Sequence, residues 1–86
     1  MKVGDRVGFF HDGFVRPAWC PPEAVPHRLA RIVRVHPGDR LDLDVPLQRG
    51  DVLPGGSKVT SQKGAVITNV PRGTGPARSG TWQSVV

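Results

Sequence analysis

The chain lacks the residues from which disulfide frameworks and rows of aromatic side chains are built. Its 86 residues include one cysteine, Cys20, and no tyrosine. A lone cysteine cannot form a disulfide within the chain, and small secreted domains usually need several, so the sequence predicts an intracellular protein. There is no charged start followed by an apolar run, as in a signal peptide, and no segment approaches membrane-spanning length. We therefore expect a soluble protein without a membrane partner.

Acidic residues are also scarce in the C-terminal part of the sequence. Residues 1–45 carry seven Lys or Arg against six Asp or Glu, whereas residues 46–86 carry five against one. Asp51 is the last acid, so most of the net charge of +5 lies in the second half. This asymmetry favours an acidic or polyanionic partner without identifying it.

Glycine and proline, in contrast, are abundant, with 11 and 9 residues. This composition indicates many turns and disfavours an all-helical fold. Alternating apolar and polar residues, bounded by turn residues, predict short strands. The predicted strands cover residues 5–11, 29–36, 41–45, 58–62 and 64–71. Short strands of this kind predict an all-β chain, folded as a small antiparallel barrel of about five strands.

The clearest predicted element is a hairpin whose turn is His36-Pro37-Gly38-Asp39. Proline presets φ at the second turn position and glycine supplies a positive φ at the third, as a type II turn requires. In such a hairpin Arg31 or Arg34 lies across from Asp42 or Asp44. A cross-strand ion pair is therefore expected.

Short strand and turn motifs follow one another along the chain, at Gly4, Asp5 and Val7; at Ala30, Ile32, Val33, Arg34, Val35 and His36; at Leu41, Leu43 and Val45; and at Val70, Pro71, Gly73, Gly80, Thr81 and Trp82. In this order they resemble the scheme of a group of small phage and prophage structural accessory proteins. The resemblance implies an SH3-like barrel encoded among phage structural genes, and hence a protein of the bacterial host cytoplasm and then of the virion. Relative to that scheme the proline-rich loop from Arg16 to His27 is an insertion.

The C-terminal stretch predicts a division into a β-barrel domain, residues 1–71, and an extended basic segment, residues 72–86. Proline and glycine prevent a helix there, so the segment either folds back over its own barrel or docks on a neighbour. We expect a docking strap for capsid, neck or tail proteins, or for a second copy of the chain. Its predicted anchor is Trp82, its electrostatic guides are Arg72 and Arg78, and Trp19 is a further partner contact.

Nucleic-acid binding is the alternative function. Small barrels bind nucleic acid by combining basic residues with aromatic platforms on which bases stack. The platforms are few, because the phenylalanines are needed for the core. The predicted nucleic-acid contacts are Lys58, Lys63, Arg31 and Arg34.

Enzymatic and metal-binding functions find little support in the sequence. Cys20 and His27 have the chemistry of a nucleophile and its base, but a proline-rich loop separates them and no oxyanion-forming motif stands nearby. The possible zinc ligands, His11, Cys20, His27 and His36, lack the close pairing of structural sites. The tripeptide Arg49-Gly50-Asp51 is interpreted as a polar connector. We predict no catalytic residues, no cofactor and no metal.

Overall fold

Five strands form one antiparallel sheet in the computed structural model, which describes residues 1–85. The predicted all-β fold is confirmed, and residues 1–85 contain no helix. The strands lie in the sheet in the order β4-β3-β2-β1-β5. Their bounds are β1 Arg6–Phe10, β2 His27–His36, β3 Arg40–Leu47, β4 Lys63–Val70 and β5 Thr81–Gln83.

The sheet curls without closing into the predicted barrel, because its edge strands β4 and β5 do not pair with each other. The chain instead leaves β4 at Pro71, which has no N–H with which to continue a ladder. Two backbone hydrogen bonds then join the next residues to β5: Trp82 N donates to Pro71 O at 3.1 Å, and Gly73 N donates to Trp82 O at 2.8 Å. Closure is thus limited to a single bridge between Arg72 and Trp82.

The predicted hairpin is formed by β2 and β3 and carries the expected charges across from each other. Arg31 pairs with Asp44 and Arg34 with Asp42 in the ladder. The Arg31 guanidinium lies 3.5 Å from the Asp44 carboxylate, which confirms the cross-strand ion pair. A bulge between Ile32 and Arg34 brings both arginines to the same side of the sheet.

A second bulge, between β3 and β4, is filled by the Asp42 carboxylate. Asp42 Oδ1 accepts hydrogen bonds from Asn69 N and from His36 Nε2, each at 2.8 Å. The hydrogen bond from the Asn69 backbone, followed by that from His36, lowers the pKa of Asp42 despite its partial burial. Asn69 itself has a φ of 54°, so the carboxylate stabilises a backbone turn that asparagine tolerates.

The two sides of the sheet differ in what they pack against. One side, the core side, carries the main apolar cluster. The other, the outer side, carries Arg6, Gly8 and Phe10 of β1, which face Arg31, Leu29 and His27 of β2. The core residues are Val7, Phe9, Phe14, Ala30, Ile32, Leu41, Leu43, Val45, Leu47, Val59, Val70 and Trp82.

Asp51 connects three segments beneath this sheet. The side chain is fully buried and accepts hydrogen bonds from Val15 N and Gln48 N, both at 2.8 Å, and from both terminal nitrogens of Arg28. Burial alone would raise the pKa of Asp51, but these donors hold it below its ordinary value. The aspartate of the Arg49-Gly50-Asp51 tripeptide is thus a structural residue inside the connector.

The strand predicted over residues 58–62 is reduced to one bridge, between Lys58 and Val52. This segment belongs to a turn-rich connector in which Gly50, Gly55 and Gly56 all have positive φ. Such a backbone cannot extend a ladder, although Val59 still reaches the core.

Candidate protein-docking surface

The predicted anchor Trp82 lies inside the protein and does not face a partner. Its side chain is 1% exposed and belongs to the main apolar cluster. Its backbone pairs with Phe9 of β1, and its indole Nε1 donates to Asp39 O at 2.8 Å. The prediction that Trp82 anchors a strap on a partner is therefore wrong. Thr81–Gln83 instead pair with the edge of β1 as strand β5. The alternative, a segment that folds back over its own sheet, describes this part of the chain.

The two predicted guides of that strap have different surroundings. Arg72 places its guanidinium carbon 5.4 Å from the centre of the Trp82 ring and one nitrogen 3.6 Å from an Asp39 carboxylate oxygen. Arg72 thereby covers the buried tryptophan from the solvent side. Arg78 is exposed in the turn before β5.

Trp19, the other predicted partner contact, is the most exposed aromatic side chain of residues 1–85, at 62%. Its ring is the last of three that lie in a row on the outer side of the sheet. The Trp19 ring centre lies 5.0 Å from that of His27, which lies 4.9 Å from that of Phe10. We call the depression beside this row the Trp19 surface, and its lining residues are Val15, Pro17, Trp19, His27, Arg28 and Gln48.

The loop that carries Trp19 is folded around the Arg16 guanidinium. Arg16 NH1 donates to Pro21 O at 2.8 Å, to Ala24 O, and to Cys20 Sγ at 3.2 Å. Two further backbone hydrogen bonds close tight turns, from Cys20 N to Pro17 O and from Ala24 N to Pro21 O, both at 3.0 Å. With this guanidinium at its centre and several prolines in its chain, the loop presents Trp19 in one defined position.

The cysteine and histidines considered as chemical groups all have structural contacts. Cys20 is 6% exposed and lies against Arg16. His11 Nε2 donates to Val52 O at 2.6 Å, while its Nδ1 lies 3.2 Å from Ser79 Oγ. Within residues 1–85 no three His, Cys, Asp or Glu side chains lie close enough together to hold a metal ion.

The four predicted nucleic-acid contacts are not all brought together on one surface. The ladder puts Arg31 and Arg34 on the outer side, each across from an aspartate. Lys63 is paired with Leu47 of the core side, and Lys58 lies in the connector after β3. Lys58 therefore lies apart from the two arginines, whereas Lys63 lines a depression that shares Asp44 and Pro46 with the one lined by Arg31.

Sequence reasoning missed one feature of the outer side, the cross-strand pair of Arg6 and Arg31. Both side chains are exposed, and Leu29, 47% exposed, lies two residues before Arg31 on the same side. The pair follows once the register of β1 against β2 is known. A long loop joins these strands, so the sequence carries no turn signal that fixes this register.

Comparison with protein-family models, with curated proteins and with solved structures found no match to this chain. Within residues 1–85 there is no helix whose length and apolar character would suit a membrane span.

Proposed function

We propose that this chain is a non-enzymatic protein-binding module that attaches to a partner through the Trp19 surface. The observation that carries the proposal is a tryptophan 62% exposed on a loop that its own side chains hold in place. Tryptophan is among the residues that contribute most to protein interfaces, because a large ring is desolvated at little cost in side-chain entropy.

The fixed loop supports a binding role for a second reason. A mobile loop would lose conformational freedom on binding, and that loss would weaken the complex. The contacts of Arg16 with Pro21 and Ala24 remove much of this freedom in the free protein. Trp19 and its neighbour Val15, 39% exposed, then offer apolar area beside the polar rim of Gln48.

The partner we propose is a structural protein of a phage or prophage particle, from the capsid, neck or tail. The support is the resemblance of the motif order to small phage structural accessory proteins. In a particle each copy needs only a modest affinity, because many contacts act together. Self-association of the chain within such an assembly belongs to the same proposal.

The arrangement of charges favours this function over nucleic-acid binding. Arg31 and Arg34 each lie across from an aspartate, and Arg72 lies near Asp39. Acidic neighbours reduce the number of phosphates that these cations can neutralise at once.

A site-specific cross-linking experiment tests the proposal. A photoreactive phenylalanine analogue replaces Trp19 in host cells that produce the phage particle, and the matched control carries it at Val66, which is 56% exposed on the edge strand β4. We expect position 19 to cross-link to a capsid, neck or tail protein and position 66 to give much less of that product. Cross-links to nucleic acid, or equal yields at both positions, would overturn the proposal.

A further inference from the structure

Two arginines face each other on the outer side of the sheet, Arg6 in β1 and Arg31 in β2. Residues directly opposite in an antiparallel pair have Cβ atoms about 4.5–5.5 Å apart, and like charges at such positions destabilise the pairing. Both side chains are exposed to solvent, and their attachment points are adjacent. The fold therefore gains nothing from having arginine at both positions.

The acidic groups around this pair do not balance its charge. Within residues 1–85 the only ion pair made by either arginine is that of Arg31 with Asp44, at 3.5 Å and with both side chains partly exposed. Asp5 lines the neighbouring depression beside Arg6 without forming an ion pair with it, and Lys63 lines the depression on the other side of Asp44. Three cationic side chains therefore stand beside two carboxylates, which leaves a local excess of positive charge. An anionic ligand would be stabilised at this point.

An apolar surface adjoins the arginines. Leu29 and Pro46 are both exposed and line the same depression, of about 520 Å³, as Arg6, Arg31 and Asp44. Leu29 and Arg6 also line the neighbouring depression toward the first residues of the chain. The two arginines and the two apolar residues thus lie along one shallow path, which also carries the carboxylates of Asp44 and Asp5 and which we call the Arg6–Arg31 cleft.

We propose that the Arg6–Arg31 cleft binds an acidic segment of a partner protein in which carboxylates alternate with aliphatic side chains. The planar guanidinium groups donate paired hydrogen bonds to carboxylates, and an aliphatic side chain covers Leu29. A nucleic acid fits less well, because no aromatic ring lines the cleft for base stacking and Asp44 repels phosphate. This proposal does not depend on the Trp19 surface, so either can fail without the other.

The test is a fluorescence-anisotropy titration with two labelled peptides, at an ionic strength of about 0.15 M. In one peptide aspartate alternates with leucine, and in the other asparagine replaces every aspartate. The cleft variant is Arg6→Gln with Arg31→Gln, and its control is Arg49→Gln with Arg78→Gln, two exposed arginines elsewhere. Both double variants lower the net charge from +5 to +3 and are neutral at the changed positions, and circular dichroism verifies that each is folded.

We expect the acidic peptide to bind and the asparagine peptide not to bind. The cleft variant should weaken binding about tenfold or more, whereas the control should stay within about twofold of the parent protein. Leu29→Asn should also weaken it, and Val35→Asn, at an exposed position of the same strand, should not. Equal losses in the two double variants would show that only net charge matters and would overturn the proposal. So would tighter binding of single-stranded DNA that depends on the same two arginines, or no binding of the acidic peptide.

Discussion

At the scale of single residues, Asp51 has the largest predicted effect on stability. The carboxylate is fully buried and receives four hydrogen bonds, so its removal leaves Arg28 without its charge partner in a largely buried position. We expect Asp51→Asn to lower the free energy of unfolding by about 3–5 kcal/mol. Asp44→Asn is the matched control, because it removes an exposed partner of Arg31 and should cost less than about 1 kcal/mol. Urea unfolding of both variants measures the difference, and equal costs would contradict this account.

The same carboxylate predicts how stability depends on pH. The pKa of Asp51 in the folded protein lies below its ordinary value of 3.8, so the unfolded chain binds the proton more tightly. The stabilisation is fully present above that ordinary value and is lost as the pH falls through the lower pKa of the folded state. The gap in stability between the parent protein and Asp51→Asn should therefore be constant near neutrality and shrink in acid. Thermal unfolding measured from pH 7 downward checks this, and a gap that widens in acid would reverse the assigned sign.

At the scale of paired strands, the Arg6–Arg31 pair predicts a substitution that stabilises the fold. Arg6→Glu replaces a like-charged cross-strand pair by an opposite-charged one, which should raise the free energy of unfolding by about 0.2–1 kcal/mol. Arg49→Glu makes the same change of net charge in the connector and should leave stability within about 0.5 kcal/mol. If Arg6→Glu raises the denaturation midpoint and Arg49→Glu does not, the native arginine at position 6 lowers the stability of the fold. A lower midpoint would show that Arg6 stabilises the sheet.

The strands also show what the sequence could and could not predict. The hairpin of β2 and β3 was predictable because a short turn with proline and glycine joins the strands. Its register was not: His36 pairs with Arg40 across a three-residue turn, and the bulge between Ile32 and Arg34 then brings Arg31 opposite Asp44. β5 was not predictable either, because its three residues follow glycine and proline and gain their stability from pairing with β1, far away in sequence. For the same reason Trp82 looked like an external anchor although it fills the core. Trp19 is exposed, and its contact with a partner stays a prediction.

Burial of Trp82 predicts that β5 is needed for the fold. Trp82→Ala removes one of the largest buried side chains together with the stacking surface of Arg72, and we expect a loss of about 3–5 kcal/mol. Trp19→Ala is the natural comparison, since a ring 62% exposed should change stability by no more than about 0.5 kcal/mol. Chemical denaturation followed by circular dichroism distinguishes the two. If Trp82→Ala lowered the free energy of unfolding by less than about 1 kcal/mol, the C-terminal segment would be a strap that the fold does not need.

At the scale of the whole molecule, we expect the net charge of +5 to give only a weak general attraction for nucleic acid. Lys58 lies in the connector, apart from Arg31 and Arg34, and each of these arginines lies across from an aspartate, so we expect an oligonucleotide to meet only a few unpaired cations at once. Each neutralised phosphate contributes about 0.7–0.9 to the slope of log K against log salt concentration, which predicts a slope no steeper than about −3 and no micromolar binding near 0.15 M salt. A titration of single- and double-stranded DNA over a salt series measures the slope. A steep slope that is reduced by Lys58→Ala and Lys63→Ala would contradict this account. Both lysines and the arginines would then have to contact one strand. The Trp19 surface would in that case be a platform on which bases of the same strand stack.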